Sequence, residues 1–120
     1  MIIKRENRRV YIRGNTFNFR ELLYSYDNII HFSGHSHFMF DLQSLDPNLN
    51  IFEDEGGYTA VHVSSCGFPN RCNDTVTERF GVPDASEGYI VDVYENHVVL
   101  KAVDFTTNKI ITEATYVINK

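Results

Sequence analysis

The most regular pattern in the chain lies in its last third. There "GYIVDVYE" (88–95), "HVVLKAVDF" (97–105) and "KIITEATYVI" (109–118) alternate apolar with polar positions. A period of two marks strands with one buried face, and the short polar joints Glu95-Asn96 and Thr106-Thr107-Asn108 predict an antiparallel meander over 88–118. Upstream the period changes. In "FNFRELLYSY" (17–26), Phe19, Leu22, Leu23 and Tyr26 recur at helical spacing, with Thr16 or Asn18 as candidate caps, so one main helix is expected over 17–26. Asp27-Asn28 ends it, and the β-branched and aromatic run "IIHFS" (29–33) is short enough to be a buried strand.

The remaining segments are less regular. "RRVYIR" (8–13) predicts a short strand that stops at Gly14-Asn15-Thr16, and "HFMFDLQS" (37–44) alternates loosely as another strand until Asp46-Pro47-Asn48 breaks it. "NIFED" (50–54) suggests a short edge strand, and Gly56-Gly57 leads into the strand "YTAVHVSS" (58–65). Residues 66–87 contain two prolines and little periodicity apart from a helical turn at "TVTERF", which predicts a long surface loop, of a length that is usually functional or mobile. The expected plan is strand, helix, strand, loop, then about five further strands. That is an α/β or α+β fold with one helix on a β-rich sheet, comprising a basic arm and short strand in 1–16 and a single domain over 17–120.

Composition narrows the function classes. A chain of 120 residues builds one core, and 42% hydrophobic with 22% charged residues is ordinary for a globular domain. Nine Phe and seven Tyr provide the bulk in the absence of Trp. The start "MIIKRENRRV" lacks the apolar stretch of a signal peptide, and no run approaches the roughly 18 apolar residues of a membrane span. Net charge is −5, yet Lys4, Arg5, Arg8, Arg9, Arg13 and Arg20 crowd the first twenty residues. Because the rest of the chain is acidic and repels a phosphate backbone, this run reads as a solvated segment rather than a nucleic-acid arm. Cys66 and Cys72 in "CGFPNRC" lack the spacing of a zinc or redox pair and are expected to be free thiols.

Three of the five histidines fall in "HFSGHSHFMF" (31–40). His31, within the strand, reads as a hydrogen-bonded structural residue, His62 as a strand-face residue, and His97, after a turn, as solvent-exposed. "FEDEGG" (52–57) lacks the spaced oxygen ligands of a calcium loop and reads as a solvated turn. "GHSH" (34–37) differs, because it sits at the carboxyl end of a strand, where ligands collect in open α/β sheets. Neutral imidazoles at His35 and His37 suit Zn, Fe, Mn or Ni. Side chains two apart in extended chain point the same way, and Gly34 offers the freedom to turn the first one inward.

The helix with "ELLYSYDN", the strand "IIHFSGHSH", a following apolar strand and a terminal meander after a Gly-Tyr start together resemble the C-terminal half of a calcineurin-like metallophosphoesterase, from about Phe17 to the end. "SGHSH" (33–37) fits that family's closing Gly-His-x-His motif. The resemblance implies half of a layered sandwich. It also implies that His35 and His37 each bind one ion of a two-metal centre (Mn, Fe, Zn or Ni) that hydrolyses a phosphate-ester substrate. The family's earlier motifs, Asp-x-His, Gly-Asp and Gly-Asn-His, do not occur; Gly14-Asn15-Thr16 has Thr16 where the histidine belongs. The chain is therefore expected to be a fragment, inactive alone, that dimerises or pairs with the missing half through uncovered apolar surface. The alternative is a non-catalytic, β-rich binding or self-association module whose histidines are vestigial.

Overall fold

The structure, a computed structural model, describes residues 11–12, 15–16, 19–72 and 78–119. Strands β1 (Tyr11–Ile12) and β2 (Asn15–Thr16) form a short antiparallel ribbon, and the rest of the predicted basic arm, residues 1–10 and 13–14, lies outside the described residues. Helix α1 (Phe19–Tyr24) is shorter than the predicted 17–26. Its end is local: both the amide and the hydroxyl of Ser25 bond the Leu22 carbonyl, and Asn28, at φ 59°, turns the chain out in the left-handed region that asparagine tolerates. Of the apolar positions that suggested a longer helix, Leu23 is buried but Leu22 and Tyr26 are exposed, so burial stops driving the helix after one and a half turns.

The chain then enters β3 (Ile29–Ser33), crosses over through β4 (Ile51–Glu53), and returns as β5 (Tyr58–His62). Strand β5 runs parallel to β3 in the register Ile29↔Tyr58 to Ser33↔His62 and antiparallel to β4, giving the order β3-β5-β4. The predicted strand at 37–44 is instead a 3-10 turn, Phe40–Ser44, followed by a second at Pro47–Leu49. Burial explains the difference. Phe38, Met39, Phe40 and Leu42 are all buried, and consecutive residues reach one core only if the chain coils. Asp46 caps the second turn by accepting from the Asn48 amide at 2.9 Å, with Pro47 at its first position.

Residues 66–87 also depart from expectation. Their ends pair as β6 (Asn70–Cys72) and β7 (Arg79–Gly81), so Arg79 and Phe80 of the supposed helical turn are strand residues; positions 75–77 lie outside the described residues. Cys66 and Cys72 are free thiols, as expected.

The meander is present as predicted. Strand β8 (Glu87–Val93) pairs along β9 (His97–Asp104), whose other edge takes β10 (Lys109–Ile110) and β11 (Tyr116–Asn119). The third run is broken between β10 and β11 by a 3-10 turn at Thr112–Ala114 that buries Ala114. Eight strands follow the GHSH loop rather than five, among the described residues. The two larger sheets share one core: Val61 of β5 packs with Val98, Leu100 and Ile118 of the meander, flanked by Ile30, Ile51, Tyr89 and Tyr116. A second cluster joins Phe40, Ala102 and Ala114, again against Tyr89. The molecule is thus a mostly β domain with one short helix among the described residues.

The acidic turn at 52–57 has a structural role. Asp54 is buried and accepts from the Tyr24 hydroxyl at 2.6 Å and the Gly56 amide at 2.8 Å, while Glu53 and Glu55 are exposed. A Cβ on Gly56 would lie 1.9 Å from the Tyr24 ring, so the close approach that seats α1 requires glycine there.

Candidate metal centre

Because β3 and β5 are parallel, their carboxyl ends open on the same side, and the ladder continues one step as the Val63 amide donates to the Ser33 carbonyl at 2.8 Å. The GHSH loop leaves β3 at that edge, where the sequence placed it. Its conformation is not the extended segment expected. His35 and His37 both have positive φ, 78° and 60°, so the strand argument that their side chains point the same way does not apply. Nor is Gly34 the pivot, since the left-handed turns fall on the histidines themselves and a Cβ at Gly34 would meet nothing within 4 Å. Two left-handed non-glycine residues in three positions are a local cost that the surrounding bonds must offset.

Those bonds are numerous. Asn70, at the start of β6, donates its amide to the His37 carbonyl at 2.5 Å, accepts the Met39 amide at 2.8 Å, and donates its side-chain amide to the Ser36 carbonyl at 3.3 Å. The Phe38 amide bonds Ser36 Oγ at 3.3 Å, the Phe38 carbonyl accepts from His62 Nε2 at 3.1 Å, and the Phe40 amide donates to Glu87 Oε2 at 2.7 Å. From Ser36 to Phe40 the backbone is held by β5, β6 and β8 together. Such a loop is preorganised.

The two motif histidines are presented differently. His37 is exposed, and its Nδ1 lies 3.0 Å from the Phe68 carbonyl. A carbonyl only accepts, so this contact places the proton on Nδ1 and leaves Nε2 with a free lone pair. Ligating histidines commonly have this arrangement, with the second nitrogen donating to a carbonyl or carboxylate. His35 is exposed, and its ring has no hydrogen-bond partner among the described residues. Imidazole is a ligand type that borderline transition metals accept, and two exposed imidazoles stand on this loop. Among the described residues no group of three or more His, Cys, Asp or Glu side chains is placed to hold an ion.

The other histidines have structural roles. His31 lies edge-on to Phe19, ring centroids 4.9 Å apart, so aromatic packing rather than the expected hydrogen bond is its described contact. His97, expected to be exposed, is half-buried and stacked on Tyr94 at 4.5 Å, with Nδ1 2.6 Å from Asn96 Oδ1. His62 is on the strand as predicted, but it also anchors Phe38, the residue directly after the motif. Sequence reading missed Phe68, Asn70 and Glu87. The turn-forming run Gly67-Phe68-Pro69-Asn70 was the available signal, and it gave no indication of which segment it would contact.

Burial holds the His62 pKa below its ordinary 6.5, although the bond to Phe38 opposes the shift. A lowered histidine contributes stability in full above pH 6.5 and loses it as the pH falls toward the folded value. Urea unfolding between pH 7.5 and 5 is therefore expected to show a smaller acid loss in His62→Gln, whose amide still donates to Phe38, than in the parent. Equal slopes would remove His62 from the titration.

Comparison with protein-family models, with curated proteins and with solved structures finds no match for this chain. Among the described residues, no helix is long and apolar enough to cross a membrane.

Proposed function

We propose that the chain contributes the closing histidine pair of a metal-dependent phosphoesterase centre, with His35 and His37 as ligands and a phosphate ester as substrate. One observation carries the reading: His37 stands on a preorganised loop at the carboxyl end of a parallel strand pair, with Nδ1 engaged and Nε2 open. When bound, paired divalent ions make water nucleophilic at neutral pH and offset charge developing on the phosphoryl oxygens. The chain's own part is to present two accessible imidazoles, that of His37 oriented by the Phe68 carbonyl. Imidazoles bring no negative charge to offset two dications, so a complete centre would need carboxylate ligands in addition to His35 and His37.

The test is an assay of bis-p-nitrophenyl phosphate and p-nitrophenyl phosphate with Mn²⁺, Ni²⁺ or Zn²⁺, alongside metal uptake. The chain alone is expected to turn over well below about 1 s⁻¹, the low end of ordinary enzymes, and to lose Ni²⁺ uptake in the His35→Ala, His37→Ala double variant. Faster turnover that vanishes in the variant would show a complete centre in this chain. Unchanged uptake would sink the ligand assignment.

A second reading, a binding or self-association module with vestigial histidines, is favoured by the exposure of Ile90, Val91, Val93 and Tyr94 along and just beyond β8. It anticipates no histidine-dependent metal uptake, so the same experiment separates the two.

A further inference from the structure

Phe68 is the least economical residue near the loop. The residue is 69% exposed, its backbone is left-handed at φ 58°, and it precedes a proline, which itself restricts the conformation. Nothing about the side chain accounts for that geometry. The carbonyl does, because it accepts the His37 Nδ1 proton across 31 positions of sequence. The neighbours fix its aim: Pro69 is buried and accepts the Val82 amide at 2.8 Å, and Asn70 is bonded to the loop on both sides of Phe38.

We propose that Phe68 is a positioning residue for His37. Its left-handed backbone directs a carbonyl that holds the imidazole in the Nδ1–H tautomer and thereby makes Nε2 the metal-binding atom. The inference deepens the phosphoesterase reading and rests on it only for the metal. It implies that the Phe68 side chain is dispensable while its φ is not.

Two variants separate these properties. Phe68→Gly removes the ring and favours positive φ, whereas Phe68→Pro fixes φ near −65° and swings the carbonyl away. Both changes fall at an exposed position outside the strands, and circular dichroism verifies that each variant folds. In ¹⁵N-labelled protein at about pH 8, two-bond ¹H–¹⁵N spectra report which ring nitrogen carries the proton, with His37→Gln identifying the signals. The parent and Phe68→Gly are expected to show His37 protonated on Nδ1, and Phe68→Pro a shift toward the Nε2–H form. Ni²⁺ titration should follow, with affinity retained in Phe68→Gly and reduced about 10–100-fold in Phe68→Pro, the usual effect of losing an orienting partner. An Nε2–H tautomer in the parent, or an unchanged spectrum in folded Phe68→Pro, overturns the proposal. If the tautomers follow the expected pattern in a chain that takes up no Ni²⁺, the positioning role stands and the metal reading fails instead.

Discussion

Glu87→Ala is expected to lower the unfolding free energy at pH 7 by about 3 kcal/mol, since each buried donor left unsatisfied costs roughly 1–3 kcal/mol. Glu87 is buried at the start of β8, and a single oxygen, Oε2, accepts both the Phe40 amide at 2.7 Å and the Ser64 hydroxyl at 2.9 Å. Burial raises its pKa above the ordinary 4.5, helped by Asp41 and Asp104 and opposed by those two hydrogen bonds. Folding thus favours the protonated acid. The stability linked to this protonation is greatest below pH 4.5 and is lost as the pH rises through the raised folded value, while the two hydrogen bonds to Oε2 remain. Glu87→Gln keeps an acceptor oxygen in place without a charge to desolvate, so it should equal or exceed the parent at pH 7 and flatten this part of the pH profile. Urea unfolding at pH 4 and pH 7 measures both effects. An alanine variant within about 0.5 kcal/mol of the parent, as for an ordinary surface change, would show that the carboxylate is not the link described.

Phe40→Ala should be at least as damaging, about 3–5 kcal/mol by the usual cost of emptying an aromatic site. The ring is fully buried, its centroid is 4.4 Å from that of Tyr89, and it packs with Ala102 and Ala114, residues too small to expand into the space. Its backbone is tied at the amide by Glu87 and at the carbonyl by Asn50 Nδ2 at 2.7 Å, which limits collapse of the main chain. Because Phe40 stands three positions after His37, the same change should broaden or shift the His37 imidazole signals. A stability loss under about 1.5 kcal/mol, the range of volume-conserving swaps, would mean that the cluster repacks.

What was legible in the sequence follows the distance over which each interaction acts. The meander could be read because Val98, Leu100 and Ala102 alternate inward and their partners lie just across short turns. The position of GHSH at a strand end could be read for the same reason. The coil at Phe40–Ser44 could not, because its amide is satisfied by Glu87, 47 positions away, and four buried apolar residues in five positions fit neither period. The form of the site was hidden in a similar way. His35 and His37 adopt left-handed backbone that no residue-type pattern announces, and the partners that stabilise it come from β5 (His62), the segment leading into β6 (Phe68) and β6 itself (Asn70). Residue types suggested a chemistry, and long-range bonds decided the geometry of the loop.

The parallel pairing of β3 with β5 also orders the assembly of the molecule. Val93 meets Val98 across a tight reversal, so β8 and β9 join at little loop-closure cost, whereas Ile29 meets Tyr58 only after the whole intervening crossover has been gathered in. Contacts of long sequence separation form slowly. The meander is accordingly expected to form first, and the histidine loop, which depends on β5, β6 and β8 all being in place, to take shape last.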